Sequence, residues 1–449
     1  NKSSISDFEI RINNDNSTAV KLHLDLIKQL EKKNIKGGIF MADINAGRLI
    51  ERINKLGAVG IDAEGRRIRL AADDSEKAGR DLVSGWMREA GLKVVTDYIG
   101  NIFGIWETDE NKDKKPVMTG SHIDTVINAG QYDGCYGVLA GLEVIQSLKE
   151  AGIKTERPIV VGAFTNEEGV RYSPDMMGSL VYAGGMTAEE ACATVGIDGT
   201  ILGEELRRIG YDGTVEPGFI KPHAFVELHI EQGPILDAEG YDIGAVENLQ
   251  GISWQQITIE GAQNHAGTTP TSYRHDAGVA AAKVITFMRD RCMKSGGKTV
   301  STTGCISFEP NAINVIPSKA VFTVDVRNPD EDALKAEERA LADYLAELER
   351  IDGVKITVER LSRFEPVIFD ERIVSLVEKY AGKHGLKCRR ITSGAGQDAQ
   401  NMALLCPTAM IFSPSVNGIS HNPEEFTRDE DLISCANVFK DVISELAGA

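Results

Sequence analysis

Two short apolar segments, residues 116–119 and 158–164, bracket a stretch from about 136 to 150 whose apolar residues recur at helical spacing. Strand, helix and strand in that order call for two parallel strands joined by a crossover, and so for an open α/β sheet. Both segments run straight into polar residues. The first leads into Gly120-Ser-His-Ile-Asp-Thr-Val-Ile-Asn-Ala-Gly-Gln-Tyr-Asp133, with His122, Asp124 and Asp133, and the second into Thr165-Asn-Glu-Glu-Gly169. Loops leaving the carboxyl ends of parallel strands line the ligand crevice of such a sheet. Imidazole and carboxylate clusters on two of these loops suggest a metal site.

The remaining chain fits around that unit. Residues 46–57 place Leu49, Ile50, Ile53 and Leu56 at helix spacing ahead of Gly57, and 75–90 read as a second helix, with Ser75 as its cap and Gly91 as its stop. Residues 93–106 alternate as a hairpin around Gly100-Asn101. Helices near 187–195 and 201–210 lead to a strand over 225–233 that delivers His229, Glu231 and Gln232.

Beyond about Glu247 the texture changes. Strand 253–260, helix 275–291, strands 299–308 and 319–327, helix 330–350 and strand 354–359 follow in turn. That βαββαβ order is the ferredoxin-like arrangement. After Phe364 the first texture returns, with helix 370–384, strand 387–392, a glycine-rich loop, strand 408–412 and a last helix over 429–447. The expected fold is a two-domain α/β protein. A discontinuous domain, 41–247 and 361–449, carries a smaller one, 248–360, as an insertion. A chain of 449 residues also exceeds the size at which a single core stops growing.

The net charge of -18 disfavours nucleic acid and anionic membranes as partners, and no apolar run is long enough to span a bilayer. The seven cysteines are scattered, odd in number and form no CxxC, which fits reduced thiols in the cytoplasm. The amino terminus lacks the apolar stretch of a secretory signal. Residues 1–40 are expected to be an extension or an expression-derived segment, since Met41-Ala-Asp-Ile-Asn reads as a start. Asn16-Ser-Thr is a glycosylation sequon that a cytoplasmic chain would not use.

Of the eight histidines, His122, His229, His265 and His421 stand on loops or strand ends, while those at 23, 223, 275 and 384 sit among helical or linker residues. A single histidine is more often structural than a ligand. Several together with Asp133 and Glu168 on matching loops reverse that weighting. Imidazole with carboxylate suits Zn, Mn, Co or Ni better than Ca or Mg, and the chain has no HExxH helix. Gly394-Ala-Gly-Gln-Asp-Ala399 matches a dinucleotide pattern, but no acidic residue follows about 20 positions on, so a nucleotide role is set aside.

Seven motifs in order carry a family resemblance: Gly-Ser-His-Ile-Asp-Thr, Tyr-Asp-Gly, Asn-Glu-Glu-Gly, Glu-Leu-His-Ile-Glu-Gln-Gly, Asn-His-Ala-Gly-Thr-Thr-Pro, Asn-Val-Ile-Pro and Gly-Ile-Ser-His. Over residues 45–447 the chain resembles the amidase/hydantoinase branch of the M20 metallopeptidase superfamily. That branch includes N-carbamoyl-L-amino acid hydrolases, β-ureidopropionases, allantoate amidohydrolases and ureidoglycolate amidohydrolases.

The resemblance implies two divalent transition-metal ions. His122 and His229 would hold one, Glu168 and His421 the other, with Asp133 bridging and Asp124 steadying His122 from behind. It implies Glu167 as general base and His265 as the group that stabilises the oxyanion. Asn314 and Arg327 would take the substrate carboxylate and Gln232 the ureido group, while Gly396, Gln397 and Ser179 line the pocket. Ser179 read alone would equally be a helix cap. Glu167-Glu168 read alone would be a solvated acidic turn, and Arg327 a surface charge.

Many relatives read Gly-His-Asp where this chain has Gly396-Gln397-Asp398. The inserted domain would act as a lid and dimerisation unit in a homodimer. The implied activity is hydrolysis of an N-carbamoyl-L-amino acid, since Gln250-Gly-Ile-Ser-Trp254 resembles the carbamoylase version of that segment. Allantoate, ureidoglycolate or β-ureidopropionate hydrolysis is the alternative. A silent binding protein that keeps the fold is a further one, and the intact ligand set with Glu167 speaks against it.

Overall fold

The structure is a computed structural model and describes residues 43–449; the expectation for residues 1–40 lies outside them. Strands Val117–His122 and Ile159–Phe164 pair in parallel across the helix Cys135–Glu150, and all six residues of each strand are buried. The pair can lie this close because glycine faces glycine. A Cβ on Gly120 would sit 2.3 Å from the carbonyl oxygen of Gly162. Parallel pairing continues through Ala224–Ile230 to Thr408–Ser413, giving four adjacent parallel strands.

This core is extended on both sides. The hairpin Lys93–Thr96 and Ile102–Trp106 adds antiparallel strands at one edge. At the other, Ile243–Leu249 pairs antiparallel with Thr408–Ser413, and also takes Val367–Ile368 and Cys388–Ser393 as neighbours. Helices Ala46–Gly57, Cys135–Glu150, Glu371–Lys383 and Asp429–Ala447 pack on one another in a row. Two short helices, Met177–Ala183 and Asp398–Met402, pack together against the parallel strands.

A second, wholly antiparallel sheet runs in the order Ile306–Glu309, Lys319–Asn328, Gly251–Glu260, Lys355–Phe364, with Val300–Thr302 also pairing with Lys319–Asn328. Helices Ala277–Lys294 and Glu331–Asp352 cover one of its faces. Strand Lys319–Asn328 alternates strictly. Ala320, Phe322, Val324 and Val326 enter the core under the helices, so Asp325 and Arg327 project from the opposite face. Among the described residues no helix is long and apolar enough to cross a membrane.

Three expectations shift. The helix expected from Ser75 spans Asp74–Glu89 and is capped by Asp73, whose carboxylate accepts from the Glu76 N–H at 2.6 Å; Asp73 occupies the extended position that a cap requires. The strand expected over 299–308 is broken into two pieces around Gly304. The strand expected over 225–233 stops at Ile230, because the chain turns through a left-handed conformation at Gln232 (φ 57°).

Candidate metal centre

The carboxyl ends of the parallel strands converge on one point. His122 ends its strand, His229 lies one residue before the end of the neighbouring strand, and Glu167 and Glu168 follow Ile159–Phe164. His421 comes from the loop after Thr408–Ser413. Donor atoms of His122, Asp133 and His229 lie within 4.8 Å of one another, and so do those of Asp133, Glu168 and His421. The two triads share Asp133. Its Oδ1 lies 3.6 Å from His122 Nε2 and 3.2 Å from His229 Nε2, and its Oδ2 lies 3.3 Å from His421 Nε2.

The imidazoles are aimed by carbonyl oxygens, which only accept. His122 Nδ1 faces the main-chain oxygen of Asp124 at 3.1 Å, and His229 Nδ1 faces that of Ile230 at 2.9 Å. Each ring therefore carries its hydrogen on Nδ1 and turns the Nε2 lone pair towards Asp133. The Asp124 carboxylate, expected to steady His122, is 3.8 Å from Nδ1. It instead accepts the backbone N–H groups of Glu167 and Glu168, each at 3.2 Å.

Charge is concentrated here. Burial pushes the Asp133 carboxyl up, but the three imidazoles around it, those of His122, His229 and His421, outweigh it and hold the group well below the usual carboxylate range. Glu167 is 8% exposed and belongs to neither triad; its Oε2 is 3.4 Å from His122 Nε2. Burial holds its carboxyl well above the ordinary range, against the pull of His122 and with a push from Asp398 and Glu168. Glu168 is pushed up to about 7, chiefly by burial. Asp133 hydrogen bonding raises His421 to about 9.

Gly134 closes the site from below. It has φ +64°, and a Cβ there would lie 2.4 Å from His122 Nε2. Gly134→Ala is expected to destabilise the metal-free protein by about 1–3 kcal/mol through backbone strain alone. It should also weaken metal binding by displacing the ring. Thermal melts with and without chelator, together with a metal titration, measure the two effects.

The remaining candidates separate into those that join the cluster and those that do not. Gln232 Nε2 reaches Asp133 Oδ2 at 3.0 Å and lies 3.4 Å from His421 Nε2, and its Oε1 accepts from Gln397 Nε2 at 2.8 Å. Gly396 packs on Met176, whose Cε a Cβ would meet at 2.9 Å. Ser179 caps nothing: it lies inside Met177–Ala183, buried, giving its proton to the Met176 carbonyl and accepting from Asn401 Nδ2. Arg327 is gripped by Asp325 and donates to the Gly394 carbonyl at 3.0 Å, which ties it to the glycine loop.

His265 and Asn314 stand together and belong to neither triad. The pair Asn264–His265 bonds to Val315–Ile316, Ala266 N–H donates to the Asn314 carbonyl, and both side chains are exposed. Among the described residues neither makes a hydrogen bond or ion pair to the cluster. His265 Nδ1 accepts from the N–H groups of Gly267 and Thr268, at 3.0 and 3.2 Å. Its hydrogen is thus on Nε2, free to be donated.

Three contributors escaped the sequence reading. Glu425 accepts the N–H of Tyr132 and of Asp133, and Ser420 Oγ lies 3.1 Å from Asp133 Oδ2 and 2.9 Å from Glu425 Oε2. Glu227, two residues before His229, is fully buried on Ser121 and Ala399. Glu231, which the strand was expected to deliver, turns away and binds the N–H groups of Ile235 and Leu236, each at 2.8 Å.

A model of peptidase family M20/M25/M40 matches residues 118–445. The chain belongs to this family. An N-carbamoyl-L-amino-acid amidohydrolase of Rhizobium meliloti is 40% identical over 407 residues, covering 90% of this chain and 97% of that protein. An allantoate amidohydrolase of Bacillus subtilis is 32% identical, covering 89% and 97%. Among solved structures, a hydantoinase/carbamoylase family amidase from Burkholderia multivorans superposes with a TM-score of 0.88 at 41% identity, covering 91% of this chain and 99% of that one. Members of the M20 family work with divalent metal ions, and the imidazole and carboxylate donors present here suit such ions.

Proposed function

We propose that this M20 member is a two-metal amidohydrolase that removes the carbamoyl group from an N-carbamoyl-L-amino acid, releasing the amino acid, ammonia and carbon dioxide. One observation carries the reading: two donor triads share Asp133, and Glu167 stands beside them in neither. Three protein donors per ion leave coordination positions for substrate and water, as catalytic sites require. His122 and His229 would hold one ion, Glu168 and His421 the other, and Asp133 both, with Zn, Mn, Co or Ni matching the donors. When bound, the ions supply Lewis acidity to the scissile carbonyl.

Glu167 takes a proton from the attacking water and returns it to the leaving nitrogen. His265 donates from Nε2 to the developing oxyanion. Asn314 and Arg327 hold the substrate carboxylate, while Gln232, Gly396, Gln397 and Ser179 surround the ureido end. We read residues 248–360, which carry most of the antiparallel sheet, as a ferredoxin-like lid and dimerisation domain, and 41–247 with 361–449 as the catalytic domain. The separation of His265 and Asn314 from the triads within one chain supports a homodimer in which the partner completes the site. The seven unpaired cysteines support a cytoplasmic setting.

The test is a substrate panel. Mn- or Zn-loaded protein is given N-carbamoyl-L-methionine, N-carbamoyl-β-alanine and allantoate, and ammonia is measured. N-Carbamoyl-L-methionine is expected to show the highest kcat/KM, by about tenfold or more. A preference for allantoate would move the protein to the other named relatives. No ammonia from any compound, with metal bound, would leave a binding protein.

A further inference from the structure

The side-chain carboxyl of Glu167 has no fastening of its own. Its Oε2 lies 3.4 Å from His122 Nε2, which carries a lone pair and no hydrogen, and among the described residues no hydrogen bond reaches either oxygen. Glu168 differs, because its Oε1 accepts the Val126 N–H at 3.2 Å. The main chain must therefore aim Glu167, and that main chain is held on both sides. Its N–H is taken by Asp124 Oδ1 at 3.2 Å, and its carbonyl accepts the Met176 N–H at 2.7 Å.

The residue in front of it sets the direction. Asn166 is fully buried and left-handed, with φ 56°, a region that glycine enters freely and asparagine tolerates better than most residues with a Cβ. The inversion turns the chain as it leaves Ile159–Phe164. Residues 165–167 then lie alongside 176–178, where the carbonyls of Thr165, Asn166 and Glu167 accept the N–H groups of Gly178, Met177 and Met176. Inside the loop closed in this way, Asn166 Nδ2 donates to the carbonyls of Tyr172 at 2.8 Å and Pro174 at 3.1 Å. Both partners only accept, which fixes the orientation of the amide and leaves Oδ1 buried with no donor among the described residues. Arg171 anchors the far side of the loop to the Ala71 carbonyl, Asp198 and Glu205.

A left-handed backbone and an unmatched buried oxygen thus fall on one residue, immediately before Glu167, and each costs stability. A turn that served only to close the loop could be made by glycine with neither cost. We propose that Asn166 is the positioning residue for Glu167: its turn delivers the Glu167 side chain beside the triads, and its amide staple keeps the turn from relaxing. Asn166 itself touches neither ion nor substrate. The proposal rests on the amidohydrolase reading above and on Glu167 as its base.

The test uses two variants of the metal-loaded full chain. Asn166→Gly keeps the left-handed backbone and removes the staple, while Asn166→Asp keeps the size and sets acceptors against two carbonyls. With the panel compound that is turned over fastest, kcat should fall about 10- to 100-fold in both, while KM and the metal content hold. In a Glu167→Gln background the same substitutions should cost nothing further, because residues that act as a unit are not additive. A kcat equal to that of wild type overturns the proposal, and so does an equal loss with and without the Glu167 carboxylate. Loss of metal, or failure of both variants to fold, also overturns it, since Asn166 would then support the whole centre and not Glu167. If Glu167→Gln falls below the floor of the assay, kcat against KM and metal content decides. A wild type inactive on every panel compound removes the amidohydrolase reading itself. A Glu167→Gln enzyme as active as wild type removes the base and this proposal with it, and leaves the hydrolysis standing.

Discussion

Glu167→Gln is expected to cut turnover by orders of magnitude and to leave the metal content unchanged. Glutamine keeps the size and shape of the side chain, and Glu167 is in neither donor triad, so both ions keep their donors. What is lost is a carboxylate able to take a proton and return it. General acid–base groups contribute about 10²- to 10⁴-fold to rate, and kcat should fall by about that factor on whichever panel compound proves best. Metal analysis and steady-state kinetics on the same preparation decide the matter. Activity within a few-fold of wild type would remove Glu167 as the base.

Asp133→Ala should cost the protein both ions, whereas His421→Ala should cost it one. The contrast follows from where each donor stands. Asp133 presents one oxygen to His122 and His229 and the other to His421, while His421 belongs to a single triad. Without Asp133 each triad is reduced to two donors, and activity should drop by about 10³-fold or more, as when a metal's charge stabilisation is lost. Elemental analysis after dialysis reads metal per chain directly. Two ions retained by Asp133→Ala would show that it bridges nothing. The same variant should lose the stabilisation that added metal gives the wild type, since a ligand stabilises only the form that binds it.

Much of this centre was legible in the chain. The strand–helix–strand unit of 117–164 could be read because its strands are short apolar runs and its crossover is a helix of the right length. The histidines could be read because they stood at strand ends and not on apolar helix faces. Pairings between distant segments could not be read. Residues 243–249 carry no element in the sequence reading, yet they form a strand because Thr408–Ser413 and Cys388–Ser393 lie alongside. Glu425 was hidden for the same reason. It sits in an acidic loop, and only the fold brings it under the N–H groups of Tyr132 and Asp133. Asp124 was singled out for the right neighbourhood, but its carboxylate holds the Glu167-Glu168 backbone and its carbonyl holds the imidazole.

That double attachment has a consequence for how such a centre can change. One residue, Asp124, anchors His122 through its main chain and the Glu167-Glu168 pair through its side chain. His122 at the end of one strand and the Glu167-Glu168 pair after the next are thus fastened to a single rivet. A substitution at Asp124 cannot move one of these groups without disturbing the others. The glycine loop at 394–397 hangs on a separate fastening, its Gly394 carbonyl accepting from the side chains of Gln250 and Arg327, so it can shift without pulling on the strand ends.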